Sequence, residues 1–329
     1  MLLHEFTSRF PDELSCEDYL RAVRESVGMT CPRCGGKEFS WLNGRKEFQC
    51  KSCGNRISLT MGTVMEKSHL PLRKWFYTAH LITSVKQVIS AKEVEHQLGM
   101  DQYPPVWLMM MKYRDIMGKR DAIYKLRGSV ELDEMSFPTY TMGKSEENSI
   151  SGNTVIKKNA VVAVLAESKP VEDLIQDYFN EYPVDKAIEK SASLAIYASK
   201  KKVQKFVHYI KMFVMPDAQA ETIEKAVKPM VDENAKIVAD GARSHYQLKD
   251  VFREVEMHQE TMEGVKEVVN KNLPWVHIVA GDCRNGIAAI HKEVDERFLQ
   301  LYLNEYCWKF NRRCFREPKA KGSTFLITS

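Results

Sequence analysis

The sequence predicts an α/β protein: a core of buried strands and helices, preceded by a small ribbon pinned by cysteines and by a helical segment. Three observations carry this expectation. Residues 130–134 (Val-Glu-Leu-Asp-Glu) and 236–241 (Lys-Ile-Val-Ala-Asp-Gly) each read as a buried strand that ends by presenting an aspartate, Asp133 and Asp240. Strand-like and helix-periodic stretches alternate between and after them, which is the pattern of a layered α/β domain. Ahead of them, four of the eight cysteines fall into two close pairs, and the other four are scattered.

The bulk properties bound the rest. At roughly 100–200 residues per domain, 329 residues make two or three structural units. A hydrophobic content of 44% and a charged content of 28% describe an ordinary globular protein, and no apolar run approaches the length of a membrane span. The first residues, Met-Leu-Leu-His-Glu-Phe, lack a secretory pattern, so the expected location is cytoplasmic. A net charge of +4 is too mild to name a partner, because local clusters matter more than the sum. Eight cysteines in so long a chain exclude a disulfide scaffold and leave metal binding for the paired set.

In chain order, residues 1–28 form an N-terminal helical segment, with Ser15 as the expected N-cap ahead of Tyr19, Leu20, Val23 and Val27 at helical spacing. Residues 29–66 form a ribbon. Cys31-Pro-Arg-Cys34 and Cys50-Lys-Ser-Cys53 are each followed by glycine, so backbone amides face the thiolates. Four thiolates close a tetrahedral shell and leave no open position, which makes the expected Zn²⁺ structural rather than catalytic. Residues 67–126 read as three helices: one opening at Pro71, a short one ending at Gly99, and one running from about Pro104 through Met117. A short helix, a glycine turn and a second helix match a helix-turn-helix, whose last helix would enter a DNA major groove. The methionines at 109, 110, 111 and 117 are expected to be core.

The expected catalytic domain spans 127–316, with a tail at 317–329. Its strands are 130–134, 158–166, 206–215 and 236–240, interrupted by a charged, helix-prone insertion near 168–205. A helix capped by Asp217 and reaching Val231 precedes the fourth strand, and a long amphipathic helix from Phe298 ends in Asn311-Arg312-Arg313. Carboxylates on the first and fourth strands of this order point to an RNase H-like (retroviral-integrase-type) core. Two such carboxylates suit divalent cations of the Mg²⁺ type, which prefer hard oxygen ligands and clamp both oxygens of an in-line phosphoryl displacement.

Several pieces in this order resemble the zinc-ribbon DDE-type insertion-sequence transposases of the ISXO-like group. They are the two cysteine pairs, Leu72-Arg-Lys-Trp-Phe76, Ile89-Ser-Ala, Val130-Glu-Leu-Asp-Glu134, Val238-Ala-Asp-Gly241, Leu273-Pro-Trp-Val-His277 and Tyr302-Leu-Asn-Glu-Tyr306 running to Arg313. The resemblance covers about residues 25–315. It implies a nuclease that cuts at element ends and joins them to target DNA with Mg²⁺ or Mn²⁺. Its partners would be double-stranded DNA (terminal inverted repeats and target), and it would act as a homo-oligomer, nucleoid-associated when bound. Carried over by position, it implies metal ligation by Asp133, Asp240 and Asp282, support from His277 and Arg284, and DNA contact through Arg284, Arg312 and Arg313. Asp282 stands where the family has asparagine or glutamate, Arg284 where it has lysine, and residues 287–290 replace a glycine-rich turn. Those departures favour one competing reading, a DNA-binding protein on a decayed nuclease core. A zinc-ribbon protein-interaction module is a third.

Overall fold

A computed structural model describes residues 2–85, 87–144, 153–201, 204–258 and 273–312. Two compact units are present, one built on residues 1–117 and the other on 118–314.

The first unit begins with helices α1 (Leu3–Arg9) and α2 (Glu13–Val27). The N-cap of α2 is Asp12, not Ser15: the Asp12 carboxylate accepts the Ser15 N–H at 2.8 Å, and Ser15 answers from inside the first turn. A carboxylate three residues earlier reaches the same orphan donors and starts the helix sooner. Strands β1 (Phe39–Leu42), β2 (Glu47–Cys50) and β3 (Arg56–Ser58) form a three-stranded antiparallel sheet. The buried Arg24 ties this ribbon to α2 by donating to the carbonyls of Leu59 (2.7 Å) and Met61.

Helices α3 (Leu72–Ser84), α4 (Ala91–Gln97) and α5 (Tyr103–Ala122) follow. Ser90 caps α4 through the Glu93 N–H, and Gly99, at φ +55°, makes the turn out of it. On α5 the side chains of Val106, Met109, Met110, Tyr113 and Met117 are all fully buried. The methionines are core, as the sequence predicts.

The second unit is a mixed sheet with helices. Strands β4 (Ser129–Lys144), β5 (Asn153–Pro170), β6 (Lys205–Met215), β7 (Lys236–Asp240) and β8 (Glu254–His258) stand in the order β6-β5-β4-β7-β8. β5 runs antiparallel to both its neighbours, β4 and β6, and β7 and β8 run parallel to β4. The hairpin strands are much longer than the segments read from sequence, because Met135, Phe137 and Thr139 continue the buried alternation past Glu134. The insertion is a helical hairpin, α6 (Val171–Glu181) and α7 (Val184–Lys201). Helix α8 (Ala220–Val227) starts later than expected. The Asp217 carboxylate accepts the Gln219 N–H at 3.1 Å, ahead of the helix, and Gln219 is the N-cap. A 3₁₀ turn (Arg243–Asp250), α9 (Pro274–His291), β9 (Val294–Asp295) and α10 (Glu296–Arg312) complete the described unit.

Two edges of this sheet matter. The outer edge of β6 is closed by amide side chains of α10. Asn311 accepts from Ile210 N (2.8 Å) and donates to Ile210 O (3.1 Å), while Gln300 accepts from Val214 N (2.9 Å) and donates to Met212 O (3.0 Å). The other edge concerns β4, which pairs with β7 as far as Leu132 and with β9 from Thr139. Between those pairings, among the described residues, positions 133–138 have no strand beside them on that side.

Candidate active site

That gap in the β4 edge is where the chemistry collects. Parallel pairing of Leu132 with Ala239 puts Asp133 and Asp240 next to each other, at the point where β7 stops. A crevice beyond the carboxyl ends of parallel strands is the usual place for a ligand in such sheets. Helix α9 lies along β4 there and is fixed at three heights. Glu131 accepts the N–H groups of Trp275 (2.8 Å) and Val276 (3.1 Å), satisfying the first turn. His277 Nδ1 comes within 3.4 Å of Asp133 Oδ2. Two turns later, Arg284 Nη2 donates to the Ser136 carbonyl at 2.5 Å, inside the gap.

The electrostatics follow from this crowding. Burial, reinforced by the charges of Glu134 and Asp240 and opposed by His277 and the Glu134 amide, pushes the Asp133 carboxyl up to about 6. Glu131 is pushed up to about 7 by its burial, against the pull of the two α9 amides. His245, fully buried in the 3₁₀ turn, bridges two acids: Nδ1 lies 2.6 Å from Asp240 Oδ1 and Nε2 lies 2.7 Å from Glu134 Oε1. Burial works against its charge, but the two acids prevail and raise the imidazole to about 10, while the same contact lowers Asp240. His277 Nε2 is buried without a hydrogen-bond partner.

The structure thus brings together Asp133, Asp240, His277 and Arg284 of the sequence-nominated set. Asp282 stands apart. It is exposed on α9, about 140° around the helix from His277 at 100° per residue. Among the described residues it makes no hydrogen bond or ion pair with the other acids. Arg312 is engaged elsewhere, with Nη1 at 2.5 Å from Asp121 Oδ1, and Arg313 lies outside the described residues. Glu305 is buried on α10 and meets Lys309 at 2.6 Å. Sequence reasoning passed over Glu131 and His245. The signal for Glu131 was its position two residues before Asp133, which puts both on one face of β4. His245 lies five residues past Asp240, a separation that only the 3₁₀ turn makes short.

The second centre is the ribbon. The Sγ atoms of Cys31, Cys34, Cys50 and Cys53 all lie within 4.8 Å of one another, with pairs at 3.7 Å (Cys31, Cys53) and 3.6 Å (Cys34, Cys50). Four sulfurs about 2.3 Å from a tetrahedral zinc stand roughly 3.8 Å apart, so the cage has the right size. Gly36 keeps the cage close, since a Cβ there would press on Ser52 Oγ at 3.0 Å and Cys50 Sγ at 3.2 Å. The Cys53 amide holds the Cys50 thiol below its ordinary value, which favours the thiolate that zinc binds. This is a structural zinc ribbon.

Comparison with known proteins matches the segments that hold the two centres. A family described as the ISXO2-like transposase domain matches residues 125–311, and one described as a transposase zinc-ribbon domain matches residues 11–56. An uncharacterized protein in transposable element ISH50 of Halobacterium salinarum is 25% identical over 142 residues, covering 42% of this chain and 46% of that protein. The matched segment spans about half of that relative's length.

Proposed function

This chain belongs to the ISXO2-like transposase family, and we propose that it cuts DNA at insertion-sequence ends and joins them to target DNA by metal-dependent phosphoryl transfer. The observation that carries the proposal is the pairing of Asp133 with Asp240 at the open edge of β4, with His277 held against Asp133. The sheet order, with the acids on the adjacent strands β4 and β7, the first and fourth strands of the unit in chain order, supports an RNase H-like core.

The donor set fits a divalent cation of the Mg²⁺ or Mn²⁺ type. Two half-buried carboxylates sit on adjacent strands, where burial first and the neighbouring acids second make Asp133 resist ionising, and His277 leaves one buried nitrogen without a partner. Asp133 and Asp240 would hold the metal, which activates the attacking water or 3′-hydroxyl and stabilises the leaving oxygen. This chain's other residues set the stage. Glu131 fixes the start of α9 and so places His277 over Asp133. His245 orients Asp240 through one oxygen, leaving the other for ligation, and holds Glu134 aside. Arg284, exposed at the gap and anchored on Ser136 O, is placed to meet a scissile or flanking phosphate. Asp282 has no part in this geometry.

Around this centre we assign double-stranded DNA, both terminal repeat and target, as the partner. The ribbon contributes the exposed Arg33, Lys37, Arg45 and Arg56 for phosphate contact. The path α4–turn–α5 follows a helix-turn-helix.

A second reading, a DNA-binding protein with a silent nuclease core, is favoured by one fact. Among the described residues, the four cysteines are the one group of three or more side chains placed to hold a metal ion. Strand cleavage of a labelled duplex bearing the element's own terminal repeat separates the two. With Mg²⁺ or Mn²⁺ the wild type is expected to cut, and Asp133→Ala and Asp240→Ala to bind without cutting. A wild type that binds but never cuts establishes the second reading.

A further inference from the structure

The α6–α7 hairpin has no role in the site just described, and its surface is unusual. Helix α7 buries one face, through Ala187 and Ala198. About 120° around from that face, at 100° per residue, a second apolar stripe is open to solvent. It consists of Val184, Ile188, Ala192, Ala195 and Ile196, all exposed, with Val184 at 66%, Ile188 at 54% and Ile196 at 58%. A continuous apolar stripe left open on a helix marks an interaction surface.

Charge along the stripe selects the occupant. On one flank, Asp185 and Glu189 occupy the N-terminal half of α7 and Lys200 the C-terminal end, all three exposed. Two copies of α7 packed antiparallel about a two-fold axis near Ala192 set each Ile188 against the other copy's Ile196. The acidic half of each helix then lies beside the Lys200 of the other. Residues on one flank face their own equivalents across an antiparallel helix pair, so the pattern is self-complementary, as a two-fold interface requires. Small Ala192 at the axis allows close approach. DNA is disfavoured as occupant, since residues 171–201 carry six acids against four lysines.

We propose that the exposed face of α7 is a homodimer interface, in which the hairpins of two chains form an antiparallel two-fold helical pair. This goes beyond the nuclease reading and does not depend on it.

Sedimentation equilibrium of the full chain without DNA tests the proposal over a range of concentrations, with circular dichroism as the check on folding. The wild type is expected to dimerise. Ile188→Asp is expected to weaken the dimer at least tenfold with an unchanged spectrum. The double reversal D185K/E189K should weaken it at least tenfold as well, by placing like charges together. Adding K200E to that double variant should restore most of the loss, which no folding defect would do. A monomeric wild type, a dimer indifferent to Ile188→Asp, or a triple variant no tighter than the double would each overturn the proposal. So would association only with an unrelated protein.

Discussion

At the scale of single residues, position on an element decides role more than residue type does. Asp133 and Asp240 were legible in the sequence because each ends an apolar run, and alternation alone fixes which face a strand residue takes. Asp282 was nominated by resemblance, at a fixed distance from His277. The azimuth of every residue on α9 is set by where the helix starts and what it leans on, however. Once Glu131 holds the amides of Trp275 and Val276, His277 and Arg284 face β4 and Asp282 faces away. His277→Ala is therefore expected to slow cleavage about 10–100-fold, the range for groups that orient or complete a metal site, while DNA binding is unchanged. His245→Ala should fall in the same range, since it frees Asp240 and Glu134 together. Cleavage rates under single-turnover conditions, beside a binding isotherm, check both.

Elements are held here by side chains that stand in for missing backbone partners. Two helices open with proline and receive a glutamate from another element. Glu13 accepts from Leu72 N (2.6 Å) and Arg73 N (3.0 Å) at the start of α3, as Glu131 does for α9. Neither was readable beforehand, because the donor and acceptor are 59 residues apart in the first case and 144 in the second. The closure of the β6 edge by Gln300 and Asn311 follows the same logic, and it protects a strand that would otherwise offer its edge to another chain. Asn311→Ala leaves the Ile210 N–H and C=O without their partner and should cost about 2–4 kcal/mol, from one to two buried unsatisfied groups, measured by denaturant unfolding. Asp295 gives a pH-dependent case. Its carboxylate accepts from the Arg297 amide (3.0 Å) and pairs with the guanidinium (2.6 Å), which holds it below the ordinary value of 3.8. A depressed acid lends stability above its unfolded value and loses it as pH falls through the folded one. Asp295→Asn should lower the melting midpoint near pH 7 by about 2–4 °C, with the gap shrinking below pH 4. Strand β8 went unread because its alternation, Glu-Val-Glu-Met-His, is mostly polar and suits an edge.

At the scale of the whole molecule, two units were legible, one organised by thiolates and one by carboxylates. The cysteine pairs state their own spacing, and apolar runs mark β4, β5, β6 and β7 along the chain. What the sequence withheld was three-dimensional: the length of the β4–β5 hairpin and the gap in the β4 edge. Because the ribbon is small and its two cysteine turns are joined through the sulfur cage, its order depends on the metal. Chelation, or Cys50→Ser, should collapse the amide dispersion of residues 29–66 in an NMR spectrum and leave the signals of the second unit in place. The central claim is that catalysis belongs to the β4 edge. The most direct test compares Mg²⁺-dependent, single-turnover cleavage of a terminal-repeat duplex by wild type, Asp133→Ala, His277→Ala and Asp282→Ala. The predicted result is no cutting by Asp133→Ala, a large loss with His277→Ala, and a rate for Asp282→Ala close to wild type. A dead Asp282→Ala beside an active His277→Ala would contradict the account and move the third functional group to the opposite face of α9.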